Sequence, residues 1–306
     1  MSPDTASLDN VVLPEGSRIV TGVDREYPRS VLDLTDPPAQ LFVRGKRLDH
    51  LGPSVAVVGA RRCSAYGEEA AEGIGRGLAS AGVTVVSGAA WGVDAAAHRG
   101  ALAARGVTVA VLGSGIDVPY PHRNRGLIEE IAATGSLVTE YRPGTQPEPF
   151  RFPARNRIVA ALARAVVIVE GAEGSGSMIT AEFALDLGRE VFAVPGPVTS
   201  PLSAVPNALI REGATLARGS DDVLSALGMR AIPPVLAGHN DSSEGDLSDD
   251  DRRVFERVLG EPVTAEAVAR DLGVSVGPVL ASLASLELRG LVRGVGGRYE
   301  RVALSS

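Results

Sequence analysis

The amino-acid sequence predicts an α/β fold, a doubly wound and mostly parallel sheet, followed by a small C-terminal winged-helix domain. Three observations carry this. Between residues 51 and 218, short apolar runs alternate with helix-length stretches, the signature of strand–helix–strand units. Glycines close the runs, at Gly59, Gly88, Gly113, Gly171 and Gly196. Residues 219–246 then turn polar, and residues 247–306 begin a separate pattern.

Residues 1–50 read as a lead-in segment. The apolar runs at 55–59, 83–87, 107–112, 136–141, 165–170 and 190–194 read as strands buried on both faces, because they are apolar throughout rather than alternating. Between them, residues 66–81, 93–105, 123–134, 156–163 and 177–187 carry helical periodicity. Ligands of such open sheets bind at the carboxyl ends of the strands, so the functional loops are expected along one edge. Residues 219–246 contain Pro233-Pro234 and an acidic run that ends at Asp246, and they read as a flexible linker. Beyond them, helices are expected at 249–259, 264–272 (capped by Thr264) and 276–288, and a glycine-turn hairpin at 290–302. Helix–turn–helix plus hairpin makes a winged helix. Its third helix holds no lysine or arginine, which favours a protein contact or a vestigial module over base readout.

Composition narrows the function. The net charge of −7 argues against a surface coated in positive charge for nonspecific nucleic-acid binding, so any anion site must be local. Lys46 is the one lysine among 30 basic residues. Cys63 is the one cysteine, which excludes an internal disulfide and fits a reducing cytoplasm. No apolar run reaches the roughly 18–20 residues needed to span a bilayer. A cytoplasmic protein with no membrane partner is expected.

The chemistry-bearing residues gather in loops after strands. Arg151, Arg155 and Arg157 cluster just ahead of an apolar helix, and the loop Gly171-Ala-Glu-Gly-Ser-Gly-Ser177 opens the next one. Guanidinium groups beside bare backbone amides suit a phosphate-bearing ligand, whether a small nucleotide or a strand. Arg155 and Arg157 are expected on one rim with Ser175, Gly176, Ser177 and Thr180, on the assumption that their strands are neighbours. The loop Gly59-Ala-Arg-Arg-Cys-Ser64 lacks the GxGxxG spacing of a dinucleotide site. Arg61 and Arg62 could clasp phosphates or simply be solvated, and Cys63 near a helix start could carry a lowered pKa. After Ser87 and Gly88, Asp94 reads as a helix N-cap, with His98 one turn on. His50, His98, His122 and His239 show no ligand spacing, so no metal is expected. Ser87 lacks the GxSxG elbow of a serine hydrolase.

The runs Val57-Val-Gly-Ala-Arg61, Ser87-Gly-Ala-Ala-Trp-Gly-Val-Asp94, Pro119-Tyr-Pro121 with Asn124, Phe152-Pro-Ala-Arg-Asn-Arg157, Ser175-Gly-Ser-Met-Ile-Thr-Ala181 and Ala193-Val-Pro-Gly196 closely resemble the DprA/Smf family of DNA-processing proteins. The likeness is collinear over about residues 18–217, with Phe152–Arg157 and Ser175–Ala181 its most specific runs, and Tyr27-Pro28 and Leu41-Phe-Val-Arg-Gly45 resemble the family's lead-in to the sheet. It implies an extended Rossmann-like domain that binds single-stranded DNA, protects incoming DNA during natural transformation and helps load RecA recombinase. It also implies a homodimer, a frequent winged-helix accessory, no catalytic residue and no cofactor. Carried over residue by residue, the DNA contacts are Arg61, Ser87, Gly88, Arg155, Asn156, Arg157, Ser175, Gly176, Ser177 and Thr180. Arg151 lies outside the matched motif, and Arg157→Ala is expected to weaken binding to all sequences alike. Phe150, Phe152, Tyr120 and Trp91 are the candidate stacking surfaces.

The chain departs from the family pattern where Glu173-Gly174 stands in place of a basic or polar residue. About 50 residues precede the first expected strand, too few for the N-terminal helical domain of many members. Residues 207–213 are a candidate dimer surface. Two other readings stay open. One is a Rossmann-like nucleotide phosphoribohydrolase, for which Glu182 would be the carboxylate although the Pro-Gly-Gly-x-Gly-Thr motif is missing. The other is a transcription regulator that works through its winged helix.

Overall fold

The computed structural model describes residues 12–229, 247–258, 263–288, 291–295 and 298–301. Contacts divide the chain into two compact units, residues 1–232 and 233–306.

The first unit is built on nine strands: β1 (Ser17–Thr21), β2 (Gln40–Gly45), β3 (Ser54–Gly59), β4 (Thr84–Ser87), β5 (Thr108–Val111), β6 (Ser136–Thr139), β7 (Ala165–Val169), β8 (Glu190–Ala193) and β9 (Thr215–Leu216). Their order across the sheet is β1-β2-β6-β5-β4-β3-β7-β8-β9. From β6 to β9 every pair is parallel, whereas β1–β2 and β2–β6 are antiparallel. The strand expected to open the sheet at residue 55 is thus its third. The lead-in contributes β1 and β2, fastened by Arg18, whose guanidinium donates to the Glu26 carboxylate and to the Gly45 carbonyl.

The helices are α1 (Ala65–Ser80), α2 (Val93–Ala103), α3 (Arg125–Thr134), α4 (Arg151–Leu162), α5 (Gly176–Asp186), α6 (Ala204–Arg211) and α7 (Ser220–Ala226). Strand residues alternate between two cores, as strands covered on both faces must. Ala56 and Val58 of β3, with Val166 and Ile168 of β7, pack against Ile158, Ala181 and Leu209 of α4, α5 and α6. Val55, Val57, Val167 and Val169 face the other way, onto Ile74, Leu78, Ala97 and Val223 of α1, α2 and α7.

Three expectations change here. The polar stretch from 219 is not linker at its start: α7 buries Val223 and Leu224, while residues 230–246 lie outside the described residues. The arginine cluster does not precede a helix; it forms the first half of α4, with Pro153 in the opening turn where its missing N–H is harmless. The strands flanking α4 are not neighbours either. β5, β4 and β3 lie between β6 and β7, so α4 carries the chain back across the sheet.

The second unit holds α8 (Asp249–Phe255), β10 (Val263–Thr264), α9 (Ala265–Leu272), α10 (Val276–Leu288), β11 (Val292–Val295) and β12 (Arg298–Arg301). This is the winged helix, with a third strand, β10, added to the β11–β12 hairpin. Thr264 caps α9 by accepting from the Ala267 amide, as expected. The expected glycine turn at 296–297 lies outside the described residues. The solvent side of α10 presents Gly277, Leu280, Ala281 and Ala284. Among the described residues no single helix is long and apolar enough to cross a membrane.

Candidate nucleic-acid interface

A cavity of about 540 Å³ opens at the carboxyl ends of β3, β4 and β7. It lies where the strand order reverses, between β3 and β7, the position at which open α/β sheets leave a crevice between diverging loops. Arg61, Gly88, Arg155, Asn156, Ser175, Gly176, Ser177 and Thr180 line it. Ser87 and Arg157 do not. Ser87 is fully buried and donates to the Val57 carbonyl, which locks β4 to β3.

Two arginines expected on one exposed rim have separate places. Arg155 is only 3% exposed and forms the floor of the cavity. Its guanidinium donates to the Val111 carbonyl at the end of β5 and packs against Gly88, where any β-carbon would collide with it. Burial pulls its pKa down to about 10 against the pull of Asp94, and the nearby charge of Arg61 adds to the drop. Its Nε is buried without a hydrogen-bond partner. Asp94 is not the N-cap of α2, a position taken by Gly92 with φ 71°. The buried Asp94 carboxylate accepts from the amides of Gly88 and Ala90, and so fixes the turn over the cavity floor. Burial pushes its pKa up, opposed by Arg155.

Arg157, two residues along α4, points away from the cavity. It grips Glu140 with both terminal nitrogens, at 2.7 and 2.8 Å, and both side chains are largely buried, 13% and 7% exposed. Arg157→Ala is therefore expected to leave single-strand affinity within about twofold. It should lower stability by on the order of 3 kcal/mol, because Glu140 stays behind as a buried, unpaired carboxylate. Urea unfolding beside a binding titration of the folded protein checks both halves.

On the other wall, Ser175 caps α5 by accepting from the Ser177 amide. Asn156 donates to the Gly176 carbonyl and ties α4 to the cap of α5. The first-turn amides of a helix have no carbonyl partner within it, and with the helix dipole they favour an anion. Arg61 stands exposed at the mouth, its guanidinium 4.8 Å from the centroid of the Phe152 ring. Phe152 in turn lies 5.4 Å from the ring of Tyr120. Charge, amides and aromatic faces thus meet at one opening.

The remaining candidates fall outside this chemistry. His98 pairs with Thr108 at 2.7 Å rather than with Asp94, and burial, with Arg155 and Arg99 adding, drops its pKa to about 3. The Cys63 thiol is pushed up, by burial first and then by Glu68 and Glu170, so it is not a lowered-pKa nucleophile. Glu182 on α5 is exposed and does not line the cavity. One positioning group had no motif to announce it. Glu170, at φ 53°, ends β7 and accepts from the Ser64 amide and hydroxyl, holding the start of α1 and with it the loop that bears Arg61. Its one sequence signal was an acidic residue closing an otherwise apolar strand.

Comparison with known proteins agrees with this architecture. The profile of the family described as DNA recombination-mediator protein A matches residues 18–228, and that of the DprA winged helix domain matches residues 239–298. The DprA relative of Mycobacterium tuberculosis is 40% identical over 97% of this chain and 80% of its own length. The solved structure of DNA processing protein A from Streptococcus pneumoniae is 43% identical over 69% of this chain and 74% of its own, with a TM-score of 0.66. That of Helicobacter pylori is 31% identical over 69% and 95%, with a TM-score of 0.62. With a family profile covering most of its length, the chain belongs to the DprA family of DNA processing proteins.

Proposed function

We propose that this chain binds single-stranded DNA without cleaving it, and that the switch-point cavity takes the backbone phosphates. The observation that carries the reading is the single mouth where Arg61 is stacked on Phe152 opposite the amide-rich start of α5. Phosphate contacts of this kind position a strand without reading its sequence, and the Phe152 and Tyr120 rings offer π-faces to any base. A net charge of −7 leaves little for a broad duplex-binding surface, so the local site favours one flexible strand. A relative from Helicobacter pylori has a single-stranded DNA binding mode described for it.

In this reading the protein works in the cytoplasm, shields incoming strands in transformation or recombination and passes them to RecA. It acts as a homodimer; the short edge strand β9, with Leu216 exposed beside α6, supports a surface near residues 207–213. Fluorescence anisotropy with matched single-stranded and duplex oligomers tests the core of the proposal. Tighter single-strand binding that falls with salt is expected, and equal affinity for both forms would sink it. RecA filament assembly on strands coated with the protein tests the delivery step.

A further inference from the structure

The first turn of α4 carries a second aromatic–guanidinium stack, separate from the cavity. Arg151 is held between two rings, 5.3 Å from the centroid of Phe150 and 5.1 Å from that of Tyr141. Its side chain is mostly buried, and its Nε lies buried without a hydrogen-bond partner. Phe150 is 63% exposed, the most open phenylalanine, tyrosine or tryptophan among the described residues. A phenylalanine left this open contributes little to the core, yet its orientation is fixed from behind by a cation. That arrangement leaves one face flat, rigid and available.

Position ties this stack to the cavity. Pro149 and Pro153 belong to the cavity wall, and Phe150 and Phe152 lie between them in sequence. Residues two apart on a helix project to nearly opposite sides. Phe152 accordingly leans to Tyr120 and Arg61, whereas Phe150 leans to Arg151 and Tyr141. The start of α4 is a ridge with one aromatic ring on each flank.

We infer that Phe150, braced by Arg151 and Tyr141, is a second base-stacking ledge, over which a strand held in the cavity continues across the first turn of α4. The inference rests on the single-strand reading above. It fixes the direction of the strand, away from β8 and β9, and it makes the site longer than the cavity alone. Each base stacked on an aromatic ring contributes about 1–3 kcal/mol, roughly five- to 150-fold in affinity.

The test uses the full chain with fluorescein-labelled oligothymidylates of four to twelve nucleotides, comparing wild type, Phe150→Ala and Phe150→Tyr. The tetramer is expected to bind all three alike. The dodecamer should bind Phe150→Ala about tenfold more weakly, and Phe150→Tyr should restore it. An exposed ring is safe to truncate, and matched thermal melts confirm that the variants are folded. A dodecamer affinity untouched by Phe150→Ala overturns the ledge alone. A uniform loss at every length also overturns it, because Phe150 would then belong to the cavity. Failure of the wild type to bind any oligomer overturns the single-strand reading and the ledge together.

Discussion

Replacing Arg155 by methionine is expected to destabilise the sheet domain by about 3–5 kcal/mol and to abolish single-strand binding. Among the described residues the guanidinium is the one buried arginine or lysine that can balance the Asp94 carboxylate, and it ties α4 to β5 through the Val111 carbonyl. Methionine fills much of the volume but leaves the buried Asp94 carboxyl without the cation that opposes the upward push of burial on its pKa. The turn at Gly88–Ala90 that Asp94 holds would then loosen, and the cavity floor with it. Asp94→Asn in the same chain should recover part of the loss, since it removes the stranded carboxyl and keeps an acceptor for the two amides. A double-mutant cycle isolates that coupling. Trp91, the one tryptophan, directly follows this turn, so its fluorescence in urea follows the right part of the molecule. A methionine variant that melts with the wild type would show that Arg155 is not the counter-charge.

Arg61→Ala should do the reverse, weakening single-strand binding about tenfold while leaving the fold intact. A charge-assisted contact to phosphate contributes roughly 1.5–3 kcal/mol. Arg61 is exposed, and its charge acts on the floor in both senses, disfavouring the charged Arg155 and favouring the charged Asp94, so removing it leaves the buried pair in place. Losing one neutralised phosphate should also flatten the dependence of log affinity on log salt by about 0.7 for a single strand. Arg61→Lys keeps the charge but loses the planar stack on Phe152, and should fall between the two. Anisotropy titrations at several salt concentrations read both effects. An unchanged slope in Arg61→Ala would place the phosphate elsewhere.

Much of this was legible because the central strands are apolar throughout, which fixes both their state and their double burial. Loops after such strands must gather on one edge, so the sequence alone brings Arg61, Gly88 and Ser175–Ser177 together. The edges were harder. β1 and β2 hold only the brief apolar stretches Ile19-Val20 and Leu41-Phe42-Val43, bounded by Arg18 and Arg44, and lie outside the regular strand–helix alternation that marks the centre of the sheet. The helix α7 rests on two apolar anchors in a polar stretch. Strand order cannot be read from local pattern either, and the return of the chain across β5, β4 and β3 was hidden for that reason. Arg155 and Arg157 show the limit most clearly. Both are arginines of one motif on one helix, and the partners that separate them, Val111 and Glu140, lie on other elements.

The strand reversal that creates the cavity also governs when it can exist. β3 pairs with β7, more than a hundred residues further along the chain. Pairings of such separation close slowly, because the entropy of a long loop must be lost before the contacts form. A chain emerging from the ribosome can pair β3 with β4 and β4 with β5, presenting Arg61 and Gly88 while Ser175–Ser177 have yet to be made. On the proposed reading, affinity for a strand is therefore a property of the last long-range closure, and a half-folded chain holds only one lip of its cavity.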